Sequence, residues 1–211
     1  MFKHRAEITK GEEIRYISHL DYASILQRAI CRAKLPAAYS EGFNPHMKIA
    51  FASALAVGVT SDAEYMDMEL TKPLCQPEVF DRLRAELPKG VQILRLKTFE
   101  GKHKALMAEV ELAEYEVLVP LLGTREQAGL AVERFNEASA VQYRRVTPKK
   151  TREIEVKQYI RKVGILGEGA ELRLSMQIKI TPSGSIKPGE ILEILTESFQ
   201  LPVDARKATD R

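Results

Sequence analysis

The chain has 211 residues, of which 45% are hydrophobic and 29% charged, and its formal net charge is +3. This composition is ordinary for globular proteins, so it excludes a wholly disordered chain, a collagen-like repeat and a coiled coil. No stretch approaches the roughly 18 apolar residues of a membrane helix, and no apolar run follows the charges at the N-terminus. We therefore expect a cytoplasmic protein of two domains, since about 100 residues suffice for one domain.

The first half of the chain predicts the element order βαββαβ. Apolar alternation predicts strands at 2–8, 47–52, 64–70 and 91–96, and helical periodicity predicts helices at 18–34 and 77–87. The first helix is the best defined element. Ser18 followed by Asp21 resembles a capping box, and Pro36 ends the run.

From residue 111 the same plan recurs with one extra strand. We predict strands at 115–121, 141–146, 154–163 and 171–180, helices at 124–138 and 189–199, and a last strand near 201–205. The predicted fold class is therefore α+β, with two tandem ferredoxin-like βαββαβ units at 1–100 and 111–211. Both helices of such a unit cover one face of its sheet, so we expect the other face to be free for nucleobases or a partner.

Polar, cationic and aromatic residues are densest around the first helix, in the motifs Ser18-His19-Leu20-Asp21 and Gly42-Phe43-Asn44-Pro45-His46. Cations near a helix N-terminus suit phosphates, and exposed aromatic rings suit unpaired bases. The candidate RNA-binding residues here are Arg15, His19, Arg28, Arg32, Tyr39, Phe43, Asn44, His46 and Lys48. The alternative is a scaffolding role, in which Ser18 only caps the helix and Gly42 only shapes a turn.

His19 and His46 are also candidates for acid–base catalysis, as in a metal-independent ribonuclease. A helix of this length separates its ends by about 24 Å, so we expect the two imidazoles at opposite ends and leave the catalytic residues unassigned. A metal site built from His19, Asp21, His46 and Asp67 is not expected, because tight ligand spacing is absent. Cys31 and Cys75, the only cysteines, are too far apart to form a zinc or iron–sulfur motif.

A second candidate surface is the basic segment 144–162, whose net charge of +6 leaves −3 for the rest of the chain. The segregated charge predicts an RNA-binding hairpin. Its candidate RNA-binding residues are Arg144, Arg145, Lys149, Lys150 and Arg152. Alternatively, these cations only discourage the sheet from pairing with another edge.

The polar motifs of the first half belong to a longer pattern. It comprises Arg15-Tyr-Ile-Ser-His-Leu-Asp21, Gln27-Arg28-Ala29, Leu35-Pro36, Tyr39-Ser-Glu-Gly-Phe-Asn-Pro-His-Met-Lys48 and Ala52-Ser53. In this pattern the chain resembles the radical-SAM-linked protein family. The resemblance extends over nearly the whole chain, although the specific motifs lie in about the first 70 residues. This chain has Cys31 where the family tends to have Arg, and Met47 and Ala54 where Pro is usual.

The resemblance implies association with a radical S-adenosylmethionine enzyme, often beside genes of RNA metabolism. S-adenosylmethionine and the iron–sulfur cluster would belong to that partner, and we expect no cofactor in this chain. The tandem plan is also similar to RNA-binding and endonuclease proteins of CRISPR systems, but their glycine-rich loop before the last strand is missing here.

The leading functional hypothesis is a non-catalytic accessory protein that presents structured RNA to the radical SAM enzyme for modification. A protein-binding adaptor for the same enzyme and a metal-independent ribonuclease are the alternatives.

Overall fold

The computed structural model describes residues 2–99, 104–147, 150–181 and 184–210. The chain folds as two compact units, residues 1–110 and 111–211, and each has its own hydrophobic core. Within the described residues the protein is mixed α+β, with four α-helices and antiparallel sheets. None of the helices in these ranges is long and apolar enough to cross a membrane.

The first unit contains one four-stranded sheet and two helices. Its elements are β1 (Phe2–Lys10), α1 (His19–Arg32), β2 (Ile49–Phe51), β3 (Ser61–Leu70), α2 (Gln76–Glu86) and β4 (Ile93–Phe99). The strand order is β2-β3-β1-β4, and every neighbouring pair is antiparallel. The predicted strand at 47–52 is shorter than expected, since only three of its residues pair as a strand.

Helix α1 forms where the sequence predicts it. The Ser18 hydroxyl caps it by accepting from the Asp21 amide at 3.1 Å, and the helix ends ahead of Pro36. Its buried residues recur at helical spacing and pack on the alternating buried residues of β1. This core includes Tyr22, Leu26, Ala29 and Ile30 of α1 with Ala6 and Ile8 of β1.

The opposite face of the first sheet is partly covered, which corrects the expectation that it would be free. A short 3-10 helix, Leu106–Ala108, packs beside β2 and β3 with Leu106 buried. On the same face Asp67 binds Lys3 and Arg5, each at 2.7 Å, and Arg5 also pairs with Glu109. Burial acts to raise the pKa of Asp67, but the hydrogen bonds from Arg5 and Lys3 hold it below its ordinary value.

The second unit contains a four-stranded sheet, a separate hairpin and two helices. Its elements are β5 (Leu112–Pro120), α3 (Arg125–Glu137), β6 (Gln142–Thr147), β7 (Lys150–Glu155), β8 (Ile160–Leu166), β9 (Glu171–Lys179), α4 (Pro188–Phe199) and β10 (Thr209–Asp210). The main sheet has the order β10-β5-β9-β8 with antiparallel neighbours, whereas β6 and β7 pair only with each other.

Two strand predictions in this unit are wrong. The strand predicted at 154–163 is interrupted by the 3-10 helix Val156–Gln158, because Val156 turns into the core while the Glu155 carboxylate accepts from the Lys157 amide. The extra element is therefore a two-stranded hairpin, not one strand. The last strand lies at Thr209–Asp210, and the predicted 201–205 segment contributes only an isolated bridge between Leu121 and Val203.

A buried histidine makes the stability of the first unit depend on pH. His4 is 0% exposed, its Nδ1 lies 3.0 Å from the Thr98 hydroxyl, and its Nε2 has no partner in the described part of the chain. Burial lowers the pKa of His4, so between this lowered pKa and pH 6.5 the unfolded chain binds a proton that the folded chain excludes. We expect the free energy of unfolding to fall with decreasing pH, by at most about 1.4 kcal/mol per pH unit for this group.

Urea unfolding between pH 7.5 and 5.0 measures this slope. The substitution His4→Leu should flatten it, although His19, whose pKa is also lowered by burial, retains part of the dependence. Replacing the exposed His46 with alanine is the matched control and should leave the slope unchanged. An equal slope in the wild type and His4→Leu would contradict the prediction.

Candidate nucleic-acid interface

The segment 40–46 forms a loop that is closed at its base. The Ser40 amide donates to the His46 carbonyl at 2.8 Å, and the His46 amide donates to the Ser40 hydroxyl at 2.9 Å. Gly42 has φ +116, a left-handed conformation that L-residues rarely adopt. Phe43 at the tip is fully exposed. The two hydrogen bonds between Ser40 and His46 therefore hold the ends of the loop together, while its tip exposes an aromatic ring to solvent.

A cavity of about 490 Å³ lies between this loop and the second half of α1, and we call it the α1-loop cavity. It is lined by Gln27, Arg28, Cys31, Arg32, Tyr39, Pro45, His46 and Met47. Four predicted RNA-binding residues, Arg28, Arg32, Tyr39 and His46, thus meet at one place. Of the described side chains that line it, none carries a carboxylate. Phe43 and Asn44 are exposed on the same loop.

The two arginines of this cavity differ in availability. Arg28 is exposed, and its guanidinium forms no hydrogen bond or ion pair with any described residue. Arg32 is partly engaged, because its guanidinium donates to the Glu86 carboxylate at 3.1 Å and to the Glu86 carbonyl at 2.6 Å. Tyr39 lies along α1 with its hydroxyl 3.9 Å from the Cys31 sulfur, a contact that raises the pKa of Tyr39. Arg28 is therefore the cation most available to a ligand.

Three other predicted residues of the first half lie outside the α1-loop cavity. Arg15 donates to the Gly58 carbonyl at 2.6 Å, and Lys48 pairs with Glu69 at 3.8 Å. His19 packs edge-on against Phe51, with 5.0 Å between ring centroids, and burial lowers its pKa. His46 lines the cavity, whereas His19 contacts Phe51 and does not line it.

A buried lysine outside the predicted sequence motifs connects the loops around the start of α1 through hydrogen bonds. Lys10 is 1% exposed, and its ammonium donates to the carbonyls of Arg15 at 3.0 Å, Ile17 at 3.3 Å and Ala56 at 3.3 Å. Burial lowers the pKa of Lys10. The strand alternation contained the signal, because Lys10 has the same parity as the core residue Ile8.

Glu64 lies close enough to Lys10 for their charges to interact. Its carboxylate accepts hydrogen bonds from the hydroxyls of Ser61 at 2.9 Å and Ser53 at 3.2 Å. Burial nevertheless raises the pKa of Glu64. Within the described ranges, no group of three or more histidine, cysteine or acidic side chains could hold a metal ion.

Three large apolar side chains are exposed on the loops joined by Lys10 and on the first turn of α1, and we call them the apolar patch. Tyr16 is 75% exposed, Leu20 78% and Val57 59%. The loops are also linked by the Gly58 amide, which donates to the Arg15 carbonyl at 3.0 Å. Hydrogen bonds therefore fix the backbone that carries Tyr16 and Val57, and large exposed apolar side chains are a feature of protein interaction sites.

The basic hairpin β6–β7 divides its cations between two faces. Arg145 is part of the fold, since it binds the Glu190 carboxylate through two hydrogen bonds of 2.6 and 2.5 Å. Arg152 pairs opposite Arg145 and shares its face, whereas Arg144 lies on the other face opposite Glu153. One face of the hairpin therefore carries Arg145, Lys150 and Arg152, and of these Arg145 is already bound to Glu190.

Two further cations of the basic segment differ in their exposure and contacts. Lys150 is exposed and lies opposite Thr147 in the hairpin, on the face of Arg145. Lys157, outside the hairpin, donates to the carbonyls of Phe135 and Asn136 at the end of α3 and is therefore structural. Lys149 lies outside the described residues.

Comparison with known proteins identifies a family but no function. No curated protein matches the chain. A structure titled as an unknown protein from Galdieria sulphuraria aligns over 100% of this chain and 97% of its own, at 10% identity and a TM-score of 0.28. A putative glycine cleavage system transcriptional repressor aligns over 100% and 96%, at 11% identity and a TM-score of 0.26. Residues 3–188 match the family described as "Uncharacterized protein conserved in bacteria (DUF2344)", and the chain belongs to that family.

Proposed function

We propose that the protein is an RNA-binding accessory protein, and that an unpaired nucleotide of a structured RNA occupies the α1-loop cavity. The observation that carries the proposal is the unpaired guanidinium of Arg28 beside Tyr39 and His46, in a cavity whose described lining side chains include no carboxylate. An aromatic wall contributes stacking, which is sequence-tolerant and worth about 1–3 kcal/mol per base. A cation without a protein partner remains free for phosphate or a base edge.

The proposal includes a partner, a radical SAM enzyme that modifies the bound RNA. Its support is the resemblance of the Arg15–Lys48 motifs to the radical-SAM-linked family. In this assignment S-adenosylmethionine and the iron–sulfur cluster reside in the partner enzyme, and both proteins act in the cytoplasm.

The finer architecture that we propose is two tandem ferredoxin-like units. Its support is the strand order of the two sheets. In the first sheet β1 lies between β4 and β3, with β2 at an edge, and in the second sheet β5 lies between β10 and β9, with β8 at an edge. This is the strand order of a ferredoxin-like unit. The likeness to CRISPR RNA-binding proteins is limited to the tandem order of secondary-structure elements, and it is an analogy.

A second candidate function is a protein-binding adaptor for the same enzyme, and the apolar patch favours it. A phosphate-binding surface does not require exposed apolar side chains such as Tyr16, Leu20 and Val57. An apolar anchor surrounded by polar groups instead suits a protein interface. RNA binding through phosphates weakens with added salt, whereas binding through an apolar patch changes little.

Direct binding measurements test the RNA proposal. The full chain should bind a labelled single-stranded RNA with an affinity that falls as salt rises from 50 to 300 mM. Arg28→Ala should weaken this binding about tenfold or more, since a hydrogen bond to a charged group is worth about 1.5–3 kcal/mol. Arg84→Ala, which removes an exposed arginine of α2, is the matched control and should change affinity less than about twofold.

Two outcomes would reject this function. One is the absence of salt-dependent RNA binding by the wild type. The other is an equal loss of affinity in Arg28→Ala and Arg84→Ala, which would reduce the role of Arg28 to overall charge.

A further inference from the structure

The α1-loop cavity offers far more hydrogen-bond donors than acceptors. Arg28 supplies up to five N–H groups, and its neighbour Gln27 supplies an amide with one carbonyl oxygen. Neither side chain forms a hydrogen bond with any residue that the structure describes. Gln27 is half-buried, whereas Arg28 is exposed at the rim. A ligand that satisfies both side chains presents acceptors to Arg28, and it can present a donor to the Gln27 carbonyl oxygen.

The four bases differ in how well they meet this requirement. Guanine presents two adjacent acceptors, O6 and N7, which match the fork of a guanidinium. Adenine presents N7 beside the N6 amino group, so it places a donor against the donors of Arg28. Cytosine presents the adjacent acceptors O2 and N3, but its single ring offers less area than a purine to stack on Tyr39. Uracil offers a keto oxygen but a smaller ring to stack on Tyr39.

Guanine also matches the second side chain. Its N1–H donor is adjacent to O6 on the ring, on the side away from N7. A base whose O6 and N7 accept from Arg28 can therefore turn N1–H toward a carbonyl oxygen next to the arginine. Gln27 precedes Arg28 on α1 and lines the same cavity, so its amide oxygen is an acceptor that the base can use.

We propose that the α1-loop cavity selects an unpaired guanine. Arg28 donates to O6 and N7, the Gln27 amide oxygen accepts from N1–H, and the Tyr39 ring stacks on the base. This inference rests on the proposed RNA-binding function and deepens it by naming the base. The same recognition chemistry would take a free guanine nucleotide, so the experiment separates the two sources.

Short single-stranded RNAs test the base assignment. The probes are labelled oligouridines that carry at their centre guanosine, adenosine or 7-deazaguanosine, which keeps O6 and N1–H but lacks the N7 acceptor. The full chain should bind the guanosine probe at least tenfold more tightly than the adenosine probe, and the 7-deaza probe should lose most of that preference. Guanosine monophosphate, added as a competitor, reports whether the base suffices without the strand.

Substitutions separate base recognition from charge. Arg28→Lys keeps the charge but not the fork, so it should bind all three probes with nearly equal affinity. Gln27→Leu should reduce the guanosine preference about threefold or more, whereas Gln76→Leu, at the exposed first position of α2, is the matched control and should leave it unchanged. Competition by millimolar guanosine monophosphate as strong as that by the oligonucleotide would assign the guanine site to a free nucleotide.

The failure of this inference is distinguishable from failure of the proposed function. Equal affinity for the three probes, with salt-dependent binding retained and weakened in Arg28→Ala, would overturn guanine selection and leave RNA binding in place. Absence of binding to every probe would overturn both.

Discussion

Replacement of Lys10 by methionine is expected to lower the free energy of unfolding of the first unit by about 2–4 kcal/mol. Methionine fills a similar volume but cannot donate to the three backbone carbonyls that the Lys10 ammonium now joins. These carbonyls lie on two separate loops, so the loss of the ammonium weakens the link between the loops and leaves the hydrogen bonds between Arg15 and Gly58 to hold them. The relief from burying a charge offsets only part of this loss, because three charge-assisted hydrogen bonds disappear and the Arg15 and Ala56 carbonyls keep only their backbone donors, the amides of Gly58 and Val59.

Hydrogen exchange and urea unfolding measure the effect of Lys10→Met. The Gly58 amide, which donates to the Arg15 carbonyl at 3.0 Å, reports the separation of the loops and should exchange faster in the variant. Lys72→Met, at an exposed position, is the matched control and should change stability by less than about 0.5 kcal/mol. Unchanged protection of the Gly58 amide would show that the lysine does not hold the loops.

A double variant identifies the origin of the loss. Glu64 lies near Lys10, so removal of the ammonium could destabilise the fold by leaving that carboxylate without an opposite charge. If that charge were the cause, Lys10→Met combined with Glu64→Gln would recover most of the stability. We expect little recovery, because the hydrogen bonds from Ser53 and Ser61 remain on the Glu64 side chain while the three hydrogen bonds of the Lys10 ammonium stay absent.

Replacement of Lys150 and Arg152 by serine is expected to weaken RNA binding and to make its salt dependence shallower. If both side chains contact phosphates of a single strand, the slope of log affinity against log salt should decrease in magnitude by about 1.4. Both residues are exposed on one face of the β6–β7 hairpin, so their substitution should change stability by less than about 0.5 kcal/mol per site. Titrations at four salt concentrations provide the slope.

Arg144 provides the internal control for the hairpin. It belongs to the same strand pair but lies on the opposite face, so Arg144→Ser should leave the slope unchanged if RNA contacts only the face of Arg152. Equal changes in the two variants would indicate a general charge effect. An unchanged slope in the double variant, accompanied by loss of binding to a radical SAM partner, would make the hairpin a docking edge and favour the adaptor function.

Arg145 shows why a list of cations does not define a binding surface. The sequence groups it with Arg144, Lys150 and Arg152, and nothing in its local pattern separates it from them. In the fold, Glu190 lies beside it from a helix 45 positions later and takes two of its hydrogen bonds. Lys157 is likewise unavailable to a ligand, because its ammonium donates to the carbonyls at the end of α3. Charge in a sequence therefore overestimates the charge available to a ligand.

Local patterns of the sequence by themselves determined helix α1 and the central strand β1. Helical spacing of apolar residues up to Pro36, a Ser18 cap and alternation along β1 are short-range features, and the backbone responds to them wherever the chain folds. The helical spacing by itself did not identify the buried face, since Leu20 belongs to the apolar pattern but is exposed. The same patterns indicated an α+β protein with a polar loop after α1. They did not indicate the break at Val156, because burial of one valine in a turn depends on neighbours distant in sequence.

Only the tertiary structure decided which candidate residues form a site. Arg28 and His46 meet at one cavity because the loop folds back along α1, whereas Arg15 and His19, which belong to the same sequence motif, are occupied elsewhere. Lys10 and Arg5 likewise find partners far along the chain. Short-range patterns specify which face of an element is buried, but side chains distant in sequence become neighbours only when the elements pack together.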